Sequence, residues 1–276
     1  MSKSKTKVSS KDRPIGIFDS GIGGLTIANA IQKVLPNEAL VYFGDTAHLP
    51  YGDKSPDSIK YYSIRISQFL LKQNCKMIVI ACNTASSLAY ETVKDFVGGA
   101  VPVINVIDPL VDYVVADKRH KKIGVIGTKG TIKSDIYAKK INARSKNLKV
   151  SCLATPLLAP MIEEGFFKNN ISRAVLASYL GSRKLAGIDT LIPACTHYPL
   201  ISSEMEDFYK GKVEIVDTAA VVANYVKHVL KAEKLLSGNK RHIHHFYVSD
   251  FTKSFEESTR FFFANKIHLE KMDFWN

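Results

Sequence analysis

Two stretches of this chain share an arrangement that constrains its fold: an apolar run, the dipeptide Ala-Cys, and then a polar turn. Met77 to Ala81 is unbroken and rich in β-branched residues, which predicts a strand buried in a parallel sheet. Cys82 follows this run, and apolar residues then recur at helical spacing. Residues 190–199 repeat the arrangement around Cys195. Both cysteines are therefore predicted at the point where a strand ends and a turn begins.

This point of a parallel sheet favours ligand binding, because the carboxyl ends of the strands border a crevice there. The free N–H groups at a helix N-terminus also favour an anion, which for Cys82 would be a thiolate. A single cysteine at such a position is equally compatible with ordinary burial, since free cysteine is among the most buried residue types. Two copies in two halves of one chain favour a functional pair.

The rest of the sequence alternates predicted strands with predicted helices. One series begins with a strand at 15–18, a glycine-rich turn at 19–24 and a helix at 25–34. A second begins with a strand at 123–126 and a turn at 127–131, followed by one helix to about residue 143. Such alternation predicts an α/β fold with mostly parallel strands, and its repetition predicts two similar lobes. The helix after Cys82 is predicted to continue to about residue 98.

The net charge of +12 raises the question of nucleic-acid binding. Five basic residues are concentrated in a Lys/Ser-rich segment at residues 1–13, which is predicted to be a disordered tail and lacks the apolar core of a secretory signal. No basic stripe interleaved with aromatic residues is present, so sequence-specific nucleic-acid binding is not predicted. The turn at 19–24 does not meet the G-x-G-x-x-G spacing of a dinucleotide site.

Composition places the chain among ordinary soluble proteins, with 46% hydrophobic and 23% charged residues. No apolar run reaches the roughly 18 residues that a membrane helix needs, so no membrane association is predicted. The four cysteines form no C-x-x-C pair, which predicts the reducing cytoplasm. His242, His244 and His245 lie on a predicted strand without a matching cysteine or carboxylate cluster, which predicts solvent exposure and no metal site.

Four motifs, in order along the chain, resemble those of the glutamate racemase family, and the resemblance runs from about Pro14 to the C-terminus. The motifs are Phe18-Asp19-Ser20-Gly21-Ile22-Gly23-Gly24-Leu25-Thr26, Asp45-Thr46-Ala47-His48-Leu49-Pro50-Tyr51-Gly52-Asp53-Lys54-Ser55, Ala81-Cys82-Asn83-Thr84-Ala85 and Ala194-Cys195-Thr196-His197-Tyr198-Pro199-Leu200. The resemblance implies an active site in the cleft between the lobes. We expect a first lobe of residues 14–107 plus 219–276, carrying Cys82, and a second of residues 108–218, carrying Cys195.

The resemblance implies racemisation of L-glutamate and D-glutamate, which supplies D-glutamate for peptidoglycan synthesis, without cofactor or metal. Inverting an α-carbon requires removing a proton from one face and delivering one to the other, which two acid–base groups flanking the substrate do directly. By resemblance, Cys82 takes the proton of D-glutamate and Cys195 that of L-glutamate. The other catalytic residues implied are Asp19 beside Cys82, and His197 with Glu163, rather than Glu164, beside Cys195.

The resemblance also implies a set of residues that bind the substrate amine and carboxylates by hydrogen bonds. They are Asp19, Ser20, Tyr51, Gly52, Asn83, Thr84, Thr131, Thr196 and His197. Any of the threonines, taken alone, is also typical of a helix cap. A homodimer is expected, with the two glutamate enantiomers as the small-molecule partners.

Other readings of the sequence lead to different functions. A racemase of the same superfamily acting on aspartate or a similar amino acid is the nearest alternative. A nucleophilic cysteine hydrolase needs only one cysteine with an orienting histidine, so it leaves the second cysteine unexplained. A non-enzymatic role, such as binding DNA gyrase, would not require a thiol in both motifs.

Overall fold

The apolar runs that precede the two cysteines each form a strand in the interior of a parallel sheet. These features come from a computed structural model that describes residues 9–239, 242–251, 253–263 and 266–276. The strands are β1 (Ile15–Asp19), β2 (Leu40–Gly44), β3 (Met77–Ile80), β4 (Val103–Asn105), β5 (Lys122–Gly127), β6 (Lys149–Ala154), β7 (Thr190–Ala194), β8 (Glu214–Ile215), β9 (His245–Val248) and β10 (Glu270–Lys271).

Helices connect the strands and cover both sheets. They are α1 (Leu25–Val34), α2 (Pro56–Lys72), α3 (Asn83–Leu88), α4 (Tyr90–Val97), α5 (Ile107–Ala116), α6 (Lys129–Lys133), α7 (Ile136–Arg144), α8 (Leu158–Glu163), α9 (Asn170–Leu180), α10 (Ser202–Tyr209), α11 (Thr218–Ala232) and α12 (Lys253–Phe262). Short 3-10 helices lie at Ser10–Asp12, Tyr51–Asp53, Arg183–Leu185 and Tyr198–Ile201.

Two parallel sheets organise the described residues. The first has the strand order β10-β9-β2-β1-β3-β4, and the second has the order β6-β5-β7-β8. We call the layers around these sheets the first and the second lobe. After β8 the chain leaves the second lobe, α11 packs against α1, and β9 pairs with β2 in the first sheet. The positions of α11 and β9 in the first lobe support our proposal that one lobe is residues 14–107 plus 219–276 and the other is residues 108–218.

The prediction of an α/β fold with two mostly parallel sheets flanked by helices is confirmed. β1 and β3 are buried along their whole length, which explains why β3 and the first four residues of β1 are apolar without alternation. Each fully buried Ile, Val or Phe side chain contributes roughly 1.5–3 kcal/mol to stability. Within the described residues, no helix combines the length and the apolar character needed to cross a membrane.

Two predicted helices are interrupted. The helix after Cys82 is divided at Ala89, which is both the C-cap of α3 and the N-cap of α4. The helix after the 127–131 turn is divided at Asp135, whose φ of 57° is left-handed and ends a right-handed helix. The apolar spacing continues across both breaks, so periodicity alone does not reveal them.

The N-terminal segment and the histidine-rich strand also differ from expectation. The tail was predicted for residues 1–13; residues 1–8 lie outside the described residues, but Ser10–Asp12 form a 3-10 helix. Residue 242 precedes β9, which begins at His245. His244 is half-buried rather than exposed, and the Leu40 N–H donates to its Nδ1 at 3.2 Å, because the ring packs beside the start of β2. Burial lowers the pKa of His244.

The strand register brings the two cysteine turns to comparable sheet edges. In the first sheet, Asp19 is paired with Gly44 and Phe18 with Ile80, so Cys82 lies just beyond the carboxyl end of β3. In the second sheet, Ala194 is paired with Gly127, which places Cys195 just beyond the carboxyl end of β7. The fold therefore directs both thiols toward the same region between the lobes.

Candidate active site

A cavity of about 230 Å³ lies between the lobes, and both Cys82 and Cys195 line it. The other predicted site residues in its wall are Ser20, Tyr51, Gly52, Asn83, Thr84, Glu163, Thr196 and His197. Asp19 and Thr131 do not line it directly. A larger depression of about 800 Å³ opens near Arg13, Lys76 and Val103, at the amino ends of the first sheet, and contains neither thiol. The chemistry of the side chains, rather than cavity size, identifies the site.

Cys82 is the residue that precedes α3, and its Sγ accepts a hydrogen bond from the Ala85 N–H at 3.5 Å. Its thiol also lies 3.8 Å from the Ser20 hydroxyl oxygen. Burial and then the negative charge of Asp19 raise the pKa of the Cys82 thiol to about 12. The helix N–H groups oppose this shift without cancelling it. The raised pKa favours the thiol form of Cys82 over the thiolate that the helix start alone would favour.

Asp19 lies fully buried at the end of β1, behind the cavity wall. The N–H groups of Gly24 and Gly21 donate to its Oδ2 at 2.9 and 3.3 Å, while its Oδ1 has no hydrogen-bond partner among the described residues. Burial raises the pKa of Asp19, and the charge of His197 and the backbone N–H groups oppose that increase. Asp19 thus influences Cys82 through charge, and it keeps one oxygen available for a proton or a donor.

The second thiol has a histidine and a glutamate beside it. His197 Nδ1 lies 3.6 Å from Cys195 Sγ, and His197 Nε2 lies 2.8 Å from Glu163 Oε1. The Nε2–H is not aligned with the carboxylate oxygen, so this contact is an ion pair rather than a directed hydrogen bond. Although burial lowers the pKa of His197, the contacts with Cys195 and Glu163 raise it well above its ordinary value. A protonated His197 is therefore favoured, and its positive charge stabilises negative charge on the neighbouring sulfur.

A glycine allows this histidine to approach the first lobe. A Cβ on Gly23 would lie 2.5 Å from His197 Cε1 and 2.7 Å from Thr196 Oγ1, which is closer than real Cβ contacts. The Thr26 hydroxyl on α1 lies 2.9 Å from the Thr196 carbonyl oxygen, to which it donates across the lobes. The glycine-rich turn thus holds the two halves of the site in contact.

Three threonine hydroxyls form a cluster at the other side of the cavity. Thr84 Oγ1 lies 2.8 Å from Thr128 Oγ1 and 3.3 Å from Thr131 Oγ1, and the last two are 3.1 Å apart. Thr128 and Thr84 line the cavity, whereas Thr131 is 1% exposed and lies behind them. The structure therefore gives Thr131 a supporting position, and its role in substrate binding stays a prediction.

Some residues that shape the site were not predicted from the sequence. Thr128 was missed, although a hydroxylic residue at a helix N-cap after a strand is the same signal that identified the Cys82 turn. Asp45 was also missed: it is fully buried, and its Oδ2 accepts a hydrogen bond from the Tyr51 hydroxyl at 2.7 Å. Its Oδ1 accepts from Trp275 Nε1 at 2.8 Å, a contact between distant parts of the chain that sequence spacing cannot reveal.

His48 does not line the cavity. Its Nδ1 lies 3.0 Å from Asp45 Oδ2, and its ring stacks on Tyr62 with 4.0 Å between centroids. This histidine therefore supports the loop that carries Tyr51.

One group with metal-ligand spacing occurs in the described part of the chain, and it does not include His242, His244 or His245. Asp117, His120 and Glu214 have ligand atoms within 4.8 Å of one another. None of them lines the cavity, and Arg119 already binds Asp117 through Nε and Nη2, the latter at 2.5 Å. This group is an ion-pair cluster around the buried His120 and lies outside the cavity that contains the thiols.

The geometry suits proton exchange at one carbon from two sides. Cys82 belongs to the first lobe and Cys195 to the second, and a substrate in the cavity between them would have a thiol on each side. One sulfur is held as a thiol by burial and the other is next to a histidine that favours the protonated form. Such a pair can act as one acid and one base in the same step.

Comparison with known proteins agrees with this chemistry. The family model of the Asp/Glu/hydantoin racemases matches residues 25–226. The glutamate racemase of Geobacter metallireducens is 40% identical over 92% of this chain and 94% of its own length. That of Chlorobaculum tepidum is 41% identical over 95% of this chain and 96% of its own. Both matches extend over nearly the whole of each protein.

A solved structure gives the same result in three dimensions. The glutamate racemase of Francisella tularensis, crystallised with D-glutamate, has a TM-score of 0.90 and 36% identity, over 96% of this chain and 99% of that chain. The family resemblance of the four sequence motifs is thereby confirmed. The chain belongs to the Asp/Glu/hydantoin racemase family and, within it, to the glutamate racemases.

Proposed function

We propose that this protein interconverts L-glutamate and D-glutamate by a two-thiol acid–base mechanism without a cofactor, and so supplies D-glutamate for peptidoglycan synthesis. The observation that carries the proposal is the pair of thiols, one from each lobe, in the wall of a single cavity. The relatives named glutamate racemase and the relative crystallised with D-glutamate support glutamate as the substrate. The reaction makes the protein an isomerase.

In the direction from L-glutamate, the Cys195 thiolate takes the α-proton and becomes a thiol. The Cys82 thiol delivers its proton to the opposite face of the carbanion and becomes a thiolate. In the direction from D-glutamate, the same transfers run in reverse. The raised pKa of Cys82 and the protonated state favoured at His197 support a resting enzyme in which Cys82 is the acid.

In this proposal the protonated His197 stabilises the Cys195 thiolate, and Glu163 stabilises the imidazolium through the ion pair with Nε2. Asp19 handles protons beside Cys82, and its unpartnered Oδ1 supports that role. The polar groups around the cavity bind the substrate: the hydroxyls of Ser20, Tyr51, Thr84 and Thr196, the backbone at Gly52 and the amide of Asn83. Thr131 contributes through Thr84 and Thr128.

The first experiment measures circular dichroism of L-glutamate and of D-glutamate after adding protein that has been dialysed exhaustively against a chelator. We expect both enantiomers to reach the same racemic end point without pyridoxal phosphate or added metal. Activity that returns only with one of these additions would contradict cofactor independence. Faster racemisation of aspartate than of glutamate would move the substrate assignment to the superfamily alternative. Cytoplasmic location and a homodimer stay predictions, and no described contact supports gyrase binding.

A second experiment tests the face assigned to each thiol. Cys82→Ser and Cys195→Ser should both lose racemisation, because a serine hydroxyl is a far poorer base at neutral pH. Elimination from an analogue with a β-leaving group needs only one deprotonation. Cys82→Ser should therefore retain elimination from the L analogue, and Cys195→Ser from the D analogue. If both folded variants prefer the same enantiomer, the facial assignment is wrong.

A further inference from the structure

Asn83 presents its side chain to the cavity immediately after Cys82, at the first position of α3. Its side-chain Oδ1 accepts a hydrogen bond, but neither hydrogen of its Nδ2 has a partner among the described residues. An amide has one acceptor and two donor hydrogens. With the acceptor occupied and the donors unoccupied at a cavity wall, the amide is suited to an anionic group such as a carboxylate.

The group that occupies the acceptor is the hydroxyl of Tyr137, on α7 of the second lobe. Tyr137 donates to Asn83 Oδ1 at 2.7 Å, and the tyrosine is 2% exposed. Burial raises the pKa of this phenol far above its ordinary value, so it stays protonated and remains a donor at any working pH. Tyr137 does not line the cavity, and its hydroxyl reaches the cavity wall by its hydrogen bond to Asn83.

We propose that Tyr137 is a positioning residue that fixes the Asn83 amide with its N–H groups toward the cavity, and thereby selects a substrate carboxylate at that wall. A flipped amide would present Oδ1 to the cavity and repel a carboxylate, and it would bring Nδ2 to the hydroxyl of Tyr137. The proposal rests on the proposed function, since it assigns the recognition of one carboxylate in the same site. In this way a tyrosine of the second lobe sets the orientation of a substrate-binding side chain of the first lobe.

The direct test is Tyr137→Phe, which removes one hydroxyl and keeps the ring. A contact made equally to the substrate and to the transition state affects KM while leaving kcat unchanged. We expect KM for both glutamate enantiomers to rise about tenfold, the size of one lost hydrogen bond, with kcat nearly unchanged. The matched control is Tyr209→Phe, on α10 away from the cavity, whose hydroxyl has no partner among the described residues. It should leave both constants at the parent values.

A double-mutant cycle separates positioning from a general structural role. If Tyr137 acts through Asn83, then Tyr137→Phe should change KM less than about twofold in an Asn83→Ala background. A structural role would lower kcat and the melting temperature and would persist in that background. Unchanged KM in Tyr137→Phe, with an active parent, overturns this inference and leaves the proposed function intact. An inactive parent overturns the proposed function itself.

A measurement on the unmutated protein keeps the inference testable if Tyr137→Phe is unstable. The side-chain NH₂ resonances of Asn83 are assigned by comparison with Asn83→Ala, because they are missing from the ¹⁵N spectrum of that variant. They should shift when D-glutamate saturates the protein, because both protons face the substrate. Resonances that do not move would show that the amide does not donate to it, and the inference would then be wrong.

Discussion

The state of Cys82 at rest is decided by a competition between the start of a helix and burial. Helix N–H groups favour a thiolate, and the Ala85 N–H does reach Cys82 Sγ. Burial and the nearby Asp19 carboxylate act in the opposite direction and prevail, which raises the pKa to about 12. A thiol in this state is suited to proton delivery.

The alkylation rate of Cys82 measures this pKa. Because the thiolate is the reactive form, the rate with iodoacetamide should rise about tenfold for each pH unit between roughly pH 7 and pH 10. Labelling of the Cys82 peptide, followed by mass spectrometry, gives the rate. In urea the same thiol should reach half of its maximal rate near pH 8.5, the ordinary pKa of cysteine, and level off above that pH. A plateau near pH 8 in the folded protein would show that Cys82 is not held as a thiol.

At the residue scale, sequence motifs predicted side chains that follow a strand directly and missed those that reach the site from a distance. Cys82, Asn83, Cys195 and His197 are found because each occurs in a strand-to-turn motif. Tyr137 lies 54 positions from its partner on a different element, so no local pattern links the two.

At the element scale, the glycine-rich turn before α1 determines how closely the lobes approach. Its close contacts with His197 and Thr196 leave no room for a methyl group at Gly23. By contrast, a Cβ on Gly21 in the same turn would lie 3.6 Å from Leu49 Cδ2, an ordinary contact. Neither glycine has a left-handed φ, so space rather than backbone strain distinguishes the two positions.

Gly23→Ala should therefore lower kcat about 100-fold, because small displacements of catalytic groups cost this much. Gly21→Ala should lower it far less. Racemisation kinetics of the two purified variants, with melting temperatures measured in parallel, make the comparison. Equal activities would mean that the turn does not position His197.

The elements themselves were predicted better than their limits. Strand and helix order follow from apolar periodicity, and the break at Asp135 does not, because a left-handed residue leaves the apolar spacing intact. Similarly, the half-buried position of His244 depends on a hydrogen bond with β2 that only the sheet pairing creates.

At the scale of the whole molecule, a buried ion pair joins segments that are distant along the chain. Lys76 Nζ binds Glu38 Oε2 at 2.5 Å and also donates to the carbonyl oxygens of Lys11 and Leu235. Both side chains are 2% exposed. The N-terminal segment, the end of α2 and the segment after α11 therefore meet at one lysine.

Lys76→Met should destabilise the fold by about 3–5 kcal/mol, because it leaves the Glu38 carboxylate buried without a charged partner, with only the Ser237 N–H donating to its Oε1. The matched control is Lys60→Met, which breaks the exposed pair with Asp57 at 3.7 Å and should cost about 0–1 kcal/mol. Urea unfolding followed by circular dichroism gives both values. Similar midpoints for the two variants would contradict the assigned role of the buried pair.

The repeated series of strands and helices predicted two lobes, and the family resemblance implied a cleft between them. Neither predicted the contacts that close the cleft, such as Thr26 with the Thr196 carbonyl, because they depend on how the lobes pack together. Local periodicity and repetition thus predict the overall architecture, whereas the geometry between the lobes depends on individual side-chain contacts.

In the proposed mechanism, two thiols on opposite faces exchange protons at one carbon. Racemising L-glutamate in D₂O and analysing both enantiomers by mass spectrometry at low conversion tests this exchange. The D-glutamate formed should carry deuterium at Cα, delivered by the solvent-exchanged Cys82 thiol, while the remaining L-glutamate should carry none. Protium retained in the product, or deuterium entering the substrate as fast as the product, would contradict the two-thiol mechanism.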